Sequence, residues 1–160
     1  QRQMCIRDSV RRVQGNSFSK AVEPMMRSGL LLSGANNIWT GRTPADISND
    51  GVLTAYEIAN LDFSNTELVV LSACDTGLGD IDYSEGIYGL QRAFRLAGVR
   101  SMIISLWKVP DEETTALMTA FYIAWTSGLP MKQAFEKAQM DLRKRYPEEP
   151  YKWGGFVLIE

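Results

Sequence analysis

Histidine is absent from the 160 residues of this chain. Its absence removes the commonest general base and the commonest metal ligand from the side chains available for chemistry. Cysteine is scarce: Cys5 and Cys74 lie far apart, and two residues do not make a disulfide framework. This usage favours a reducing, cytoplasmic location. The acids Asp75, Asp80 and Asp82 lack the spacing of a metal-binding loop, so the sequence predicts no metal site and implies no cofactor.

Long apolar runs and a strong net charge are missing as well. The longest apolar runs, such as residues 102–107, are far too short to cross a bilayer, and the N-terminus lacks the apolar core of a signal peptide. Seventeen basic and nineteen acidic side chains give a net charge of -2, so no basic field indicates a nucleic acid or a membrane surface as partner. The composition is that of one globular domain.

Short β-favouring runs alternate with longer segments of helical spacing. Thr54 lies three residues before Glu57, which is the spacing of a capping box, and Gly98 is a natural helix stop. The patterns predict strands at 27–34, 67–73, 101–107 and 153–159, and helices at 54–60, 84–97, from 111 to the break at 128–130, and 131–145. The fold class is therefore α/β, with a parallel or mixed sheet.

The chain is organised around the segment LVVLSACDTGLG at residues 68–79. An apolar strand runs into Cys74, and a glycine-rich turn follows. Strand ends of this kind form active sites in α/β sheets, and a thiol there becomes a nucleophile when a base or a positive field yields its thiolate. Two interpretations remain open on the residues alone, a buried structural cysteine and a nucleophile.

Asp111 follows the strand at 101–107, at the same sheet edge as Cys74 if the two strands are parallel. One interpretation makes it a site residue. The other makes it a helix N-cap, since Glu112 and Glu113 also suit a first helical turn. Trp107, Trp125 and Trp153 are expected in the core rather than as a ligand platform.

Four motifs follow one another along the chain, RSGLLLSGAN, LVVLSACDTGLG, SEGIYGLQRAFRLAGVRSMIISLWKVPDEETTALMTAFY and YKWGGFVLI. In this order they resemble the CHAT domain, a caspase-like module related to separase and other clan CD cysteine peptidases, often found after TPR repeats. The resemblance covers about residues 22–160. It implies a three-layer caspase-hemoglobinase fold, with a mostly parallel central sheet flanked by helices.

The resemblance also assigns roles to residues. The family's nucleophile falls on Cys74, and its paired histidine belongs to an upstream H-G motif that this chain does not contain. The acid of the LW-x-V-x-D motif falls on Asp111, which implies a pocket for a basic P1 side chain; Asp75 is a second candidate for substrate binding. The resemblance further implies a peptide or protein substrate and TPR repeats upstream.

The resulting division of the chain is residues 1–17, expected to be a foreign or truncated terminus or a frayed native one, and residues 18–160, the CHAT-like domain without its histidine segment. The predicted function is a cysteine endopeptidase domain that is inactive in this chain because the histidine is missing. The alternative is a non-catalytic interaction module of a TPR-containing signalling protein.

Overall fold

The computed structural model describes residues 24–26, 28–33, 35, 51–72 and 83–160. Helices and strands alternate along them, so the α/β class is confirmed. The elements in chain order are a short 3-10 helix Pro24–Met26, β1 Gly29–Leu31, β2 Val52–Thr54, α1 Ala55–Ala59, β3 Leu68–Leu71, α2 Tyr83–Leu96, β4 Ser101–Ser105, α3 Asp111–Thr126, α4 Met131–Arg145, α5 Pro150–Trp153 and β5 Phe156–Ile159. They belong to two compact units.

One unit contains β1, β2, α1 and α2. β1 pairs with β2 in antiparallel register, with Gly29 opposite Thr54; β2 was not predicted, because three residues give too short a pattern to identify. The predicted capping box is confirmed: the Glu57 backbone N–H donates to Thr54 Oγ1 at 3.1 Å, and the Thr54 N–H donates to Glu57 Oε2 at 2.7 Å. Two orphan donors of α1 are thereby satisfied.

The core of this unit lies between α1 and α2. Ile58 and Ala93 are fully buried, and the ring of Phe94 lies 5.7 Å from that of Phe63. α2 ends where Gly98 takes a φ of 99°, a left-handed conformation that favours glycine. The helix end predicted from Gly98 is therefore confirmed.

The other unit contains a three-stranded sheet in the order β3–β4–β5. All five residues of the central strand β4 are buried. β4 and β5 are antiparallel, with Met102 opposite Ile159. A strand–helix–strand unit gives parallel strands, whereas the two long helices between β4 and β5 return the chain in the opposite direction. The prediction of a mostly parallel sheet is therefore not confirmed, since within the described residues β1–β2 and β4–β5 are antiparallel.

The helices α3 and α4 pack against each other in this unit. The helical spacing of Ala134, Phe135, Ala138 and Leu142 predicts that they form the inward face of α4, and the structure confirms this, because these four are its buried residues. On α3, the helical spacing predicts that Leu117, Phe121 and Tyr122 lie on the apolar face. Leu117 and Phe121 are buried, whereas Tyr122 is 42% exposed. The Phe121 ring stacks on Trp125 and meets Phe135 edge-on, at centroid distances of 5.6 and 6.0 Å.

Candidate functional site

Cys74 and Asp75 lie outside the described residues. The description of this part of the chain ends at Ser72, just after β3. β3 is the neighbour of β4 in the sheet. The roles expected for Cys74 and Asp75 therefore stay predictions.

Asp111 is the first residue of α3 and is exposed. The N-cap position belongs to Pro110, which makes no side-chain capping hydrogen bond, so the interpretation of Asp111 as N-cap is not what this helix adopts. Within the described ranges, the Asp111 carboxylate has no hydrogen-bond or ion-pair partner. A carboxylate at a helix N-terminus is favoured by the helix dipole, and no described side chain stands between this one and a positively charged group.

Glu113, two residues further on, is buried rather than solvent-facing. Its side chain is 7% exposed, and its Oε1 forms an ion pair with Lys152 Nζ at 3.2 Å. Sequence reasoning assigned Glu113 only to the first turn. The spacing in the sequence indicates this burial, because Glu113 precedes the buried residues Leu117 and Phe121 at intervals of four and therefore lies on the same inward face of α3.

Lys152 is the centre of this polar cluster. Its ammonium also lies 3.2 Å from Glu149 Oε2 and 4.1 Å from the centroid of the Tyr146 ring. The Lys152 side chain is only 17% exposed. A lysine held by two carboxylates and an aromatic face is charge-compensated and kept in one position.

The charged and polar groups in this cluster shift one another's pKa values. Desolvation lowers the pKa of Lys152, but hydrogen bonds with Glu149 and Glu113 outweigh it, so the pKa lies above its ordinary value. Hydrogen bonds from the Tyr151 hydroxyl and from Lys152 hold the pKa of Glu149 below its usual range. The Tyr151 hydroxyl donates to Glu149 Oε2 at 2.8 Å, and this bond raises the pKa of Tyr151.

Trp107 lies on the other side of Asp111 in the sequence and has a structural role. Its Nε1–H donates to the backbone carbonyl of Tyr151 at 2.9 Å. A side chain at Gly155 would collide with Val109 Cγ2 and would lie 3.0 Å from Trp107 Nε1. The indole therefore packs against a backbone that only glycine leaves accessible.

Trp125 and Trp153 also have structural partners. The Trp125 ring stacks on Phe121, and the Trp153 Nε1–H donates to the Tyr146 carbonyl at 3.1 Å. The expectation that Trp107, Trp125 and Trp153 lie in the core is not met in full, because all three are half-buried rather than buried.

Two further observations concern only the described part of the chain. No three histidine, cysteine, aspartate or glutamate side chains there come together in a way that could hold a metal ion. Among the helices of the same residues, none combines the length and apolar character that crossing a membrane requires.

Comparison with known proteins identifies the family. The sequence matches the CHAT domain over residues 15–160. Tetratricopeptide repeat protein 28 of Mus musculus is 31% identical over 109 residues, and that of Homo sapiens is 30% identical over 109 residues. Each match covers 68% of this chain but only 4% of the relative, so the chain spans a small part of these repeat proteins. The chain belongs to the CHAT domain family.

Proposed function

We propose that this chain is the cysteine-bearing part of a caspase-like endopeptidase domain with the three-layer caspase-hemoglobinase fold. The family match over residues 15–160 carries the proposal, because it includes both the SACDTG turn with Cys74 and the segment that leads from β4 to Asp111. The order of a strand, a cysteine and a glycine-rich turn supports it independently, since that order presents a nucleophile at a strand end.

In the proposed reaction the Cys74 thiolate attacks the carbonyl carbon of the scissile peptide bond. A C–S bond forms, and the π electrons move to the carbonyl oxygen, where the Cys74 N–H and a second amide stabilise the negative charge. Collapse breaks the C–N bond, and the amine leaves with a proton from the general acid. Water then hydrolyses the thioester and regenerates the thiol.

The general acid and base of this reaction is a histidine from outside these 160 residues, which contain none. Without it the thiol has no partner to take its proton. We therefore expect the chain alone to show little or no peptide turnover.

Asp111 is proposed to select the substrate. Its exposed, unpartnered carboxylate in the described structure suits a guanidinium or ammonium group, as expected for a basic P1 residue. Asp75 is a second candidate for the same role.

The alternative function is a non-catalytic interaction module in a TPR-containing protein. The two relatives favour it, since they are named for their tetratricopeptide repeats. In both proposals TPR repeats precede the domain and the protein works in the cytoplasm.

Labelling with a peptide-based thiol probe separates the two functions. The full-length protein that carries this domain is treated with a peptidyl acyloxymethyl ketone that has arginine beside the reactive group. The peptidase proposal expects labelling that Cys74→Ala abolishes and that the matched control Cys5→Ala leaves intact. No labelling, or labelling that survives Cys74→Ala, would favour the interaction module, as would a full-length gene that encodes no H-G motif upstream of this domain.

A further inference from the structure

Residues 150–155 contact the chain on both sides of Asp111. On the N-terminal side, the Trp107 indole donates to the Tyr151 carbonyl at 2.9 Å, and the Leu106 N–H donates to the Gly155 carbonyl at 2.7 Å. Both donors belong to the stretch that joins β4 to α3. The 150–155 segment thus ties down the residues that lead into Asp111.

On the C-terminal side, the contact is the ion pair between Lys152 and Glu113. The two side chains are 17% and 7% exposed, and their charged atoms lie 3.2 Å apart. Removing Lys152 would leave the Glu113 carboxylate buried without this partner, which is costly, so the pair fixes the position of one element relative to the other. Glu149 and the Tyr146 ring hold the lysine from its other sides.

Among the described residues, the ion pair of Glu113 is the only side-chain ion pair in the first turn of α3, and Thr114 is the other buried side chain there. Pro110 caps the helix without a side-chain hydrogen bond. Asp111 and Glu112 are exposed, so packing does not restrain their side chains. The direction of the Asp111 carboxylate therefore depends on how Trp107 and Glu113 are held.

We propose that Lys152 is a positioning residue for Asp111: through Glu113 it sets the place of the first turn of α3 and thereby the preference for a basic group at Asp111. This inference rests on the proposed function, which assigns substrate selection to Asp111. A correctly placed carboxylate favours a cation over a neutral isostere, whereas a displaced one loses the charge-assisted hydrogen bond and with it the selectivity.

Binding of two short peptide amides to the chain tests the proposal. One ends in arginine and the other in citrulline, its neutral counterpart, and calorimetry measures both affinities. We expect the wild-type chain to prefer arginine by about tenfold, the value of one good charge-assisted hydrogen bond, and Asp111→Asn to lose that preference. Glu112→Gln, a neighbouring exposed acid, is the matched control and should keep it.

The variants of Lys152 decide the inference. Lys152→Met should reduce the preference to about threefold or less even though Asp111 is intact, whereas Lys152→Arg should retain it, because arginine keeps the positive charge that pairs with Glu113. Lys144→Met, which breaks only an exposed ion pair with Asp141, should change nothing. If circular dichroism shows that Lys152→Met does not fold, Glu113→Gln replaces it in the test. Glu113→Gln removes the same ion pair and conserves the shape of the side chain.

The outcomes distinguish the two levels of the proposal. If Asp111→Asn abolishes the preference and folded Lys152→Met and Glu113→Gln retain it, the positioning role is refuted and the assignment of Asp111 stands. If the wild-type chain shows no preference for arginine, Asp111 does not select a basic group, and both the specificity proposal and the positioning role are overturned.

Discussion

Gly89 in α2 lies against Ser28, and this contact gives the sharpest test of how the helix packs. A Cβ at residue 89 would lie 2.5 Å from Ser28 Oγ but 3.5 Å from Ser28 Cβ. The first distance is a clash and the second is an ordinary contact. Ser28 is buried at 6% exposure, and its hydroxyl has no hydrogen-bond partner in the described part of the chain. The space at residue 89 is therefore limited by one unsatisfied oxygen.

Three effects set the expected free energies of unfolding. In Gly89→Ala, overpacking lowers the free energy of unfolding by about 1–3 kcal/mol. The higher helix propensity of alanine raises it by about 1 kcal/mol relative to glycine. We therefore expect Gly89→Ala to be less stable by about 1 kcal/mol. Ser28→Ala removes a buried unsatisfied hydroxyl and should be more stable by about 1 kcal/mol.

The double variant should not be the sum of these two effects. With Ser28→Ala present, the clash disappears while the helix-propensity gain remains, so the double variant should exceed the wild type by about 2 kcal/mol. Adding the single effects gives roughly zero, and the coupling is thus about 2 kcal/mol, within the range of contacting residues.

Urea unfolding followed by circular dichroism measures all four proteins. Ser101→Ala, which replaces another buried serine that the new Cβ does not contact, is the control and should combine additively with Gly89→Ala. Additive effects of Ser28→Ala and Gly89→Ala, within the error of the measurement, would refute the reasoning that the hydroxyl limits the space.

Three further predictions concern other contacts. Thr54→Ala should lower the free energy of unfolding by about 1 kcal/mol in urea titrations, because it removes the capping box with Glu57, and Thr54→Ser should keep most of the stability. Phe121→Ala should cost about 3–5 kcal/mol, since the ring is fully buried, whereas the exposed neighbour Tyr122→Ala should cost less than about 1 kcal/mol; equal losses would contradict the assigned core. The pKa of Glu149 lies below its ordinary value of 4.5, because a tyrosine hydroxyl and a lysine ammonium donate hydrogen bonds to its carboxylate. The ionised carboxylate therefore stabilises the fold above pH 4.5, and this stabilisation is lost as the pH falls through the folded-state pKa. The stability difference between the wild type and Glu149→Gln should accordingly shrink toward zero in acid, and a difference that does not change with pH would disprove this role.

Local sequence patterns predicted the elements whose causes are local. The capping box at Thr54 and the glycine stop at Gly98 depend on residues within a few positions of each other. The inward face of α4 follows from the spacing of four apolar residues, and the structure buries the same four. The short elements β2 and α5 were missed, because three or four residues do not make a period that can be recognised.

In the candidate site, too, the sequence predicted what depends on neighbouring residues, and the structure decided the rest. The motifs around Cys74 and Asp111 are contiguous in the sequence, so they indicated the CHAT family, which the family match confirms. The roles of the two residues within it stay predictions. The position of Asp111 at the first turn of α3 rather than at its N-cap was decided by Pro110, which already occupies the capping position.

By itself, the sequence determined the α/β class, the family, most helix and strand positions, and the identity of the candidate nucleophile and acid. Only the tertiary structure decided that β5 runs antiparallel to β4. Only the tertiary structure showed that Lys152 pairs with the buried Glu113 and that the Trp107 indole finds the Tyr151 carbonyl. These partners are far apart in the sequence, and no local pattern specifies a contact that exists only after the helices have packed and brought the two segments together.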